Sequence, residues 1–485
     1  MSVRVGKTAT APTFPIAAHN ALANRQLRAN VARATNTIRS KRALRVEEMP
    51  DWQALRQSAS DIKSHTLAHL DHYLTKFERN CERAGGKVHW ARDADEANTI
   101  AIDLIRHYGG TEVIKVKTMT SDEVQMNVAL EAAGITPIET DLADMIVQMG
   151  HDEPSHIVVP ALHKNRFEIA EIFRRTMNLP DLTDTPADLA AAARAYLRDR
   201  FLRVKIGISG ANFAIAETGA ICVVESEGNG RMCVTMPDVL ISLVGVEKVI
   251  PTFQDLEVFL QLLPRSATGE RMNPYTSLWT GVTPHHQAQD GPRAFHIILL
   301  DNGRTAQLLD ERERETLACI RCGACLNACP VYRETGGLAY GSIYSGPIGA
   351  ILSPQLQNLE HSRSLPYAST LCGACYEVCP VKINIPETLI HLRGRIVRED
   401  QKTLGGIFSA ENLAMQIAAK AFLNHRSYEA AQRLARMGQR IFERDGQLTN
   451  LPGMAGGWTQ YRDLRPIPKS SFRDWWKSRE KESRS

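Results

Sequence analysis

Two cysteine segments constrain this chain more than any other feature. CIRCGACLNACP, residues 319–330, sets Cys319, Cys322, Cys325 and Cys329 at the spacing C-x2-C-x2-C-x3-C, followed by Pro330. YASTLCGACYEVCP, residues 367–380, repeats the pattern with Cys372, Cys375, Cys379 and Pro380, but carries Ser369 where the first copy has a cysteine. Such spacing puts three thiolates on a tight turn around one iron-sulfur cube and sends the fourth cysteine, turned away by the proline, to a second cube.

Under that crossed rule one [4Fe-4S] cluster takes Cys319, Cys322, Cys325 and Cys379, and the other takes Cys329, Cys372 and Cys375. The second set is one thiolate short. Ser369 holds the vacant place, although an alkoxide matches iron-sulfur ligation less well than a thiolate. Cys81, Cys222 and Cys233 are alternatives if their part of the chain reaches over, and a [3Fe-4S] cluster needs no eighth ligand. Zinc suits the pattern poorly, because a closed tetrahedral site wants two C-x-x-C pairs rather than seven cysteines with a C-P ending on each copy.

Seven of the ten cysteines fall between positions 319 and 379, which fits metal ligation in a reducing compartment better than a disulfide framework. No apolar run reaches the roughly 18 residues needed to span a bilayer, and no secretory signal opens the chain, so a cytoplasmic protein is expected. The length of 485 residues allows two or three packed domains, and 58 basic against 54 acidic residues argue against a general nucleic-acid binder.

The chain reads as four regions: helical residues 1–86, an α/β domain at 87–303, the cluster motifs at 304–398 and a helical extension at 399–485. Residues 1–45 hold nine Lys or Arg and no acid, the composition of a solvated basic helix or, less simply, of a transit peptide. Strands are expected at 112–117, 135–140, 156–162, 219–226, 231–237, 247–252 and 295–301, with helices at 122–134 and 187–202 between them. That alternation predicts a largely parallel sheet. Glycines in 205–221 and 225–231 could cradle an anion, although ordinary turns explain them as well. Glu217, at a strand edge, is a candidate base or nucleophile, and His163, His285 and His286 are further polar candidates at loop positions. No dinucleotide fingerprint, haem-attachment motif or recognisable flavin motif is present, so hydride chemistry is expected on a partner or in an unrecognised pocket.

At the C-terminus, 410–444 shows apolar residues at helical spacing, as for two helices packed on the body or on a partner. The last stretch sets Trp475 and Trp476 among Arg and Lys, a composition that could rest on an anionic membrane surface or fold its tryptophans inward.

The 42 residues between Cys329 and Cys372 exceed the connection of a small bacterial ferredoxin and resemble the helical ferredoxin module of respiratory iron-sulfur subunits. VKIGISGANFAIAETGAI, EGNGR, VGVEKVIPT, FHIILLDNGR, CIRCGACLNACPVYR, YSGPIGAILSP and LCGACYEVCPVKINIP, in that order, resemble the lactate utilisation protein B family over roughly residues 60–400. The resemblance implies a LUD domain similar to the NagB/RpiA/CoA-transferase-like group, then an alpha-helical ferredoxin domain with two iron-sulfur clusters. It also implies an electron-transfer role in a three-component system, with lactate utilisation proteins A and C type subunits, that oxidises L-lactate to pyruvate. The family's second motif looks the same at the position of Ser369.

Overall fold

The computed structural model describes residues 12–282, 291–356, 359–459, 462 and 464–482, and the chain divides into two compact units, Met1–Gly394 and Arg395–Ser485. The first unit opens with four helices: α1 (Phe14–Ala23), α2 (Arg25–Glu47), α3 (Trp52–Ala68) and α4 (Leu70–Arg83).

A six-stranded sheet follows. It is built from β1 (Lys87–Ala91), β2 (Glu112–Lys115), β3 (Thr136–Glu139), β4 (Ile206–Ser209), β7 (Val239–Gly245) and β10 (Ala294–Leu300), and between these run the shorter β5 (Phe213–Ile215), β6 (Ala220–Glu225), β8 (Val249–Ile250) and β9 (Tyr275–Trp279). The large sheet has the order β1-β10-β7-β4-β2-β3, with every pair parallel. All seven residues of β7 are buried, as a central parallel strand covered on both faces requires. The small sheet, β8-β5-β6-β9, is mixed. Its β5–β6 turn needs glycine: Gly219 has φ +70°, and a Cβ there would lie 2.2 Å from the backbone nitrogen of Cys81.

Two expected strands are absent. Residues 156–162 form turns, because His156 Nδ1 accepts the N–H groups of Val158 (3.0 Å) and Val159 (3.1 Å) and curls the backbone out of extension. Residues 231–237 lie mostly in the helix Asn229–Thr235, since the Glu225 carboxylate accepts the N–H groups of Glu227, Gly228 and Arg231 and so fixes the turn that starts it. The helix expected over 122–134 is two short ones, Met119–Glu123 and Met126–Ala132, interrupted at Gln125 with φ +53°.

One apolar core joins the N-terminal helices to the small sheet and to the cysteine segments. It includes Leu27, Val31 and Trp52 from the first, Phe213 and Ile215 from the second, and Cys322, Cys325, Tyr332 and Ile383 from the third. The basic stretch is therefore not simply solvated: α2 buries Leu27, Val31 and Thr35. In the second unit, the helices Ala410–Phe422 and His425–Gln439 form where helical spacing predicts them, yet neither contains a buried residue, so they supply no core of their own. Trp475 and Trp476 are half-exposed, their rings 5.6 and 5.8 Å from that of Phe472, rather than folded inward.

Candidate metal centre

The two cysteine segments fold alike. Each has a residue in the left-handed region, Arg321 (φ +61°) or Leu371 (φ +55°), two positions before a glycine of the same hand, Gly323 (φ +73°) or Gly373 (φ +83°). Each then makes one turn of helix, Ala324–Ala328 or Ala374–Val378, that ends at Cys329 or Cys379. The backbone donates to sulfur in both: Arg321 N–H to Cys319 Sγ (3.4 Å), Tyr332 N–H to Cys329 Sγ (3.5 Å) and Ile383 N–H to Cys379 Sγ (3.4 Å). Ser369 completes the likeness. Its Oγ accepts Leu371 N–H at 3.1 Å, the bond that Cys319 Sγ makes with Arg321.

Cys319, Cys322, Cys325 and Cys379 line one cavity whose other walls include Ile320, Ile348, Ile383 and Ile385. Burial pushes the Cys322 and Cys325 thiols up, and the charges of neighbouring cysteines, Cys379 and Cys319 among them, add to it. Cys379 is raised to about 11, by burial first and by Cys319 among its neighbours. The remaining three act on one another: Cys375 is raised to about 12 by burial and then by Cys329 and Cys372. Cys329 is raised by burial and by Cys372, whereas exposed Cys372 is lowered, first by the Ala374 N–H. None of the ten cysteines is in a disulfide. Burial keeps these thiols protonated in the absence of a metal, and an all-sulfur donor set in apolar surroundings suits iron-sulfur chemistry.

Fixed cations surround the four-thiol cavity. Arg56, from α3, donates Nε to the Cys379 carbonyl (2.9 Å) and Nη2 to that of Tyr376 (3.1 Å), and Arg42, from α2, donates to Val378 O (3.0 Å). These arginines satisfy carbonyls at the end of the helix Ala374–Val378. Arg321 is held by Glu247, and Arg304 Nε by the same carboxylate at 2.5 Å. Arg304 also forms two 2.8 Å bonds with Glu123. The buried chain Glu123, Arg304, Glu247, Arg321 therefore runs from the α/β domain to the first cysteine segment. Tyr332, fully buried, is influenced by both Cys325 and Cys329, and its hydroxyl donates to Ser155 O at 2.8 Å. Nothing in sequence spacing singles out Arg42, Arg56 or Tyr332, because their partners are remote along the chain.

The other candidates lie elsewhere. Glu217 is exposed, and its carboxylate accepts Phe253 N–H (2.9 Å) at the start of the helix Phe253–Ala267. His163 bridges Ser155 Oγ (2.8 Å) and Asp152 Oδ2 (2.9 Å), and so ties down the loop against which Tyr332 rests. His285 and His286 lie outside the described residues. Cys81, Cys222 and Cys233 are buried, each raised to about 12 by burial first, and no motif cysteine is among the groups acting on them.

Along the chain, the LUD domain family matches residues 74–300 and the 4Fe-4S dicluster domain matches residues 315–383. The family described as lactate utilisation protein B, C-terminal, matches residues 395–481. Lactate utilization protein B of Bacillus licheniformis is 42% identical, over 95% of both chains. The chain belongs to the lactate utilization protein B family. The protein of that name from Oceanobacillus iheyensis is 40% identical over 99% of this chain and 98% of its own, and the one from Bacillus subtilis 39% over 100% and 99%. The chain is thus a lactate utilization iron-sulfur protein, with a mixed α/β LUD domain on a parallel sheet and a helical ferredoxin domain.

Proposed function

We propose that this chain is the electron-transfer subunit of a three-component complex that oxidises L-lactate to pyruvate with A-type and C-type lactate utilisation subunits. The observation that carries the reading is the convergence of Cys319, Cys322 and Cys325 with Cys379, from the other segment, on one apolar-walled cavity. These four would hold one cluster, and Cys329, Cys372 and Cys375 would hold a second, with Ser369 at the sequence position of the missing eighth cysteine. Bound there, each cluster supplies one-electron transfer, which suits a relay between a two-electron donor and an acceptor. Arg42, Arg56 and Arg321 place fixed positive charge around the first site, favouring an added electron.

The LUD domain belongs on this reading to the NagB/RpiA/CoA-transferase-like group, supported by its parallel sheet with a cleft at the carboxyl ends of the strands. A cytoplasmic site is supported by ten cysteines without a disulfide. Among the described residues no helix is long and apolar enough to cross a membrane, and half-exposed Trp475 and Trp476 beside Arg473 and Lys477 support a peripheral contact with its inner face.

The test is anaerobic purification followed by metal and sulfide analysis and electron paramagnetic resonance, with and without lactate. About eight iron per chain, or about seven with a three-iron second cluster, is expected for two clusters of this type. Lactate alone should leave them oxidised, and lactate with the partner subunits should reduce them. Stoichiometric zinc without sulfide would sink the cluster reading, and rapid reduction of the isolated chain by lactate would move catalysis onto this chain.

A further inference from the structure

A second cavity, of about 200 Å³, lies at the carboxyl ends of β2 and β4, lined there by Val116 to Thr120 and by Gly210 to Asn212. The chain leaves β2 toward β3 on one side and leaves β4 toward β7 on the other, so the gap between these neighbours is the topological switch point of the sheet. Open α/β sheets bind ligands there.

The polar groups of this cavity divide by whether they are already engaged. Its carboxylates are. Asp141 accepts the N–H groups of Ala143 and Asp144, Glu225 those of Glu227, Gly228 and Arg231, and Glu227 that of Leu142. Lys117 donates to Val158 O at 2.6 Å. Lys248, only 7% exposed, lines the cavity with no hydrogen-bond or salt-bridge partner for its ammonium among the described residues. Arg321, with its side chain 8% exposed, keeps Nη2 on Glu247 while Nη1 is buried and unpaired. Asn273 Oδ1, also on the lining, is a buried acceptor without a donor. Unpaired buried polar atoms such as Arg321 Nη1 and Asn273 Oδ1 are costly and call for partners.

We propose that this cavity binds a short monocarboxylate, its carboxylate between the Lys248 ammonium and Arg321 Nη1, and a hydroxyl of the same molecule donating to Asn273 Oδ1. Lys248 and Arg321 offer donors to one carboxylate, while the lining carboxylates Asp141, Glu225 and Glu227 repel a phosphate dianion more than a monoanion. Arg321 lines this cavity and the four-thiol cavity alike, so occupancy of one is felt in the other. The inference rests on the relay reading only for that coupling and for the choice of lactate as a probe.

The test is isothermal titration calorimetry on the iron-loaded full-length protein without partner subunits, with iron and sulfide measured on the same samples. L-lactate should bind once per chain and more tightly than pyruvate, which lacks the hydroxyl donor. 1,2-Propanediol, which lacks the carboxylate, should give no saturable heat, and inorganic phosphate should bind more weakly than lactate. Lys248→Gln should weaken lactate binding about tenfold or more, the loss expected of a hydrogen bond to a charged group. Lactate should also shift the resonance spectrum of the chemically reduced protein. No saturable lactate binding to the wild type, equal binding of the diol, or an unchanged affinity in a folded Lys248→Gln variant would overturn the proposal. If that variant does not fold, the wild-type comparison of lactate with the diol decides alone. Lactate binding to protein that proves free of iron and sulfide would leave the cavity assignment standing and the relay reading refuted.

Discussion

Arg321 Nη2 lies 3.3 Å from Glu247 Oε1, both side chains buried, and the pair joins the first cysteine segment to the α/β domain. Arg321 also stacks on Tyr344, its guanidinium carbon 4.7 Å from the ring centroid, and Tyr344 donates to Glu123 at the far end of the same ionic chain. The cluster module is thereby locked to the LUD domain by charges that water cannot screen.

Glu247→Gln should cost about 3–5 kcal/mol, the usual penalty for leaving a buried charge without its partner, because Arg304 and Arg321 both lose their shared carboxylate. Denaturant unfolding under anaerobic conditions measures it. Burial alone would raise the Glu247 carboxyl, but Arg304 and Arg321 outweigh it and hold the group down to about 2. Its folded value is below the unfolded one, so its contribution to stability is present above about pH 4.3 and is lost as pH falls toward 2. The variant should show a flatter acid limb over that window.

Arg56→Met leaves the Cys379 and Tyr376 carbonyls without their side-chain donor, a loss of about 1–3 kcal/mol. It also removes a positive charge beside the four-thiol cavity. The expected result is a lower midpoint of thermal unfolding together with faster loss of iron to a chelator. Arg56→Lys should restore the charge but only one of the two bonds, since an ammonium cannot fork as a guanidinium does.

Cys325→Ala and Cys375→Ala should damage different clusters, because Cys325 lines the cavity shared with Cys379 while Cys375 is acted on by Cys329 and Cys372. Electron paramagnetic resonance of each reduced variant should show one set of signals lost and the other kept. Loss of the same set in both would refute the crossed partition.

Ser369→Ala removes the acceptor of Leu371 N–H and should cost about 0.5–1.5 kcal/mol in stability. Ser369 acting only as a turn residue leaves iron content unchanged in this variant, which is the outcome expected. One iron lost per chain, with a three-iron signal on oxidation, would make Ser369 a ligand instead. Ser369→Cys keeps the turn, since Cys319 Sγ takes the equivalent bond from Arg321, and if residue 369 reaches iron it should alter the potential of the second cluster.

What the sequence revealed of this molecule depends on how local each cause is. The cysteine segments are legible because their ligand geometry is written within twelve residues, and β10 because its apolar run is bounded by turns. Residues 231–237 look like a strand by composition, but a carboxylate six residues upstream of Arg231 caps a helix there. At 156–162 a histidine ring takes two backbone N–H groups, which no β propensity registers. Strand β7, apolar at nearly every position, carries no alternation to mark it. Arg56 bonds a carbonyl 323 residues away, and no periodicity reports that.

That same separation orders events while the protein is being made. At about 5–20 residues per second, roughly 15–60 s pass between the synthesis of Arg56 and that of Cys379. Until then the second cysteine segment is missing from the core that holds Leu27, Val31 and Trp52, and the four-thiol cavity lacks one wall. The full four-thiol donor set therefore exists only after Cys379 has been made, and a cluster held by all four cysteines is loaded late in synthesis or after it.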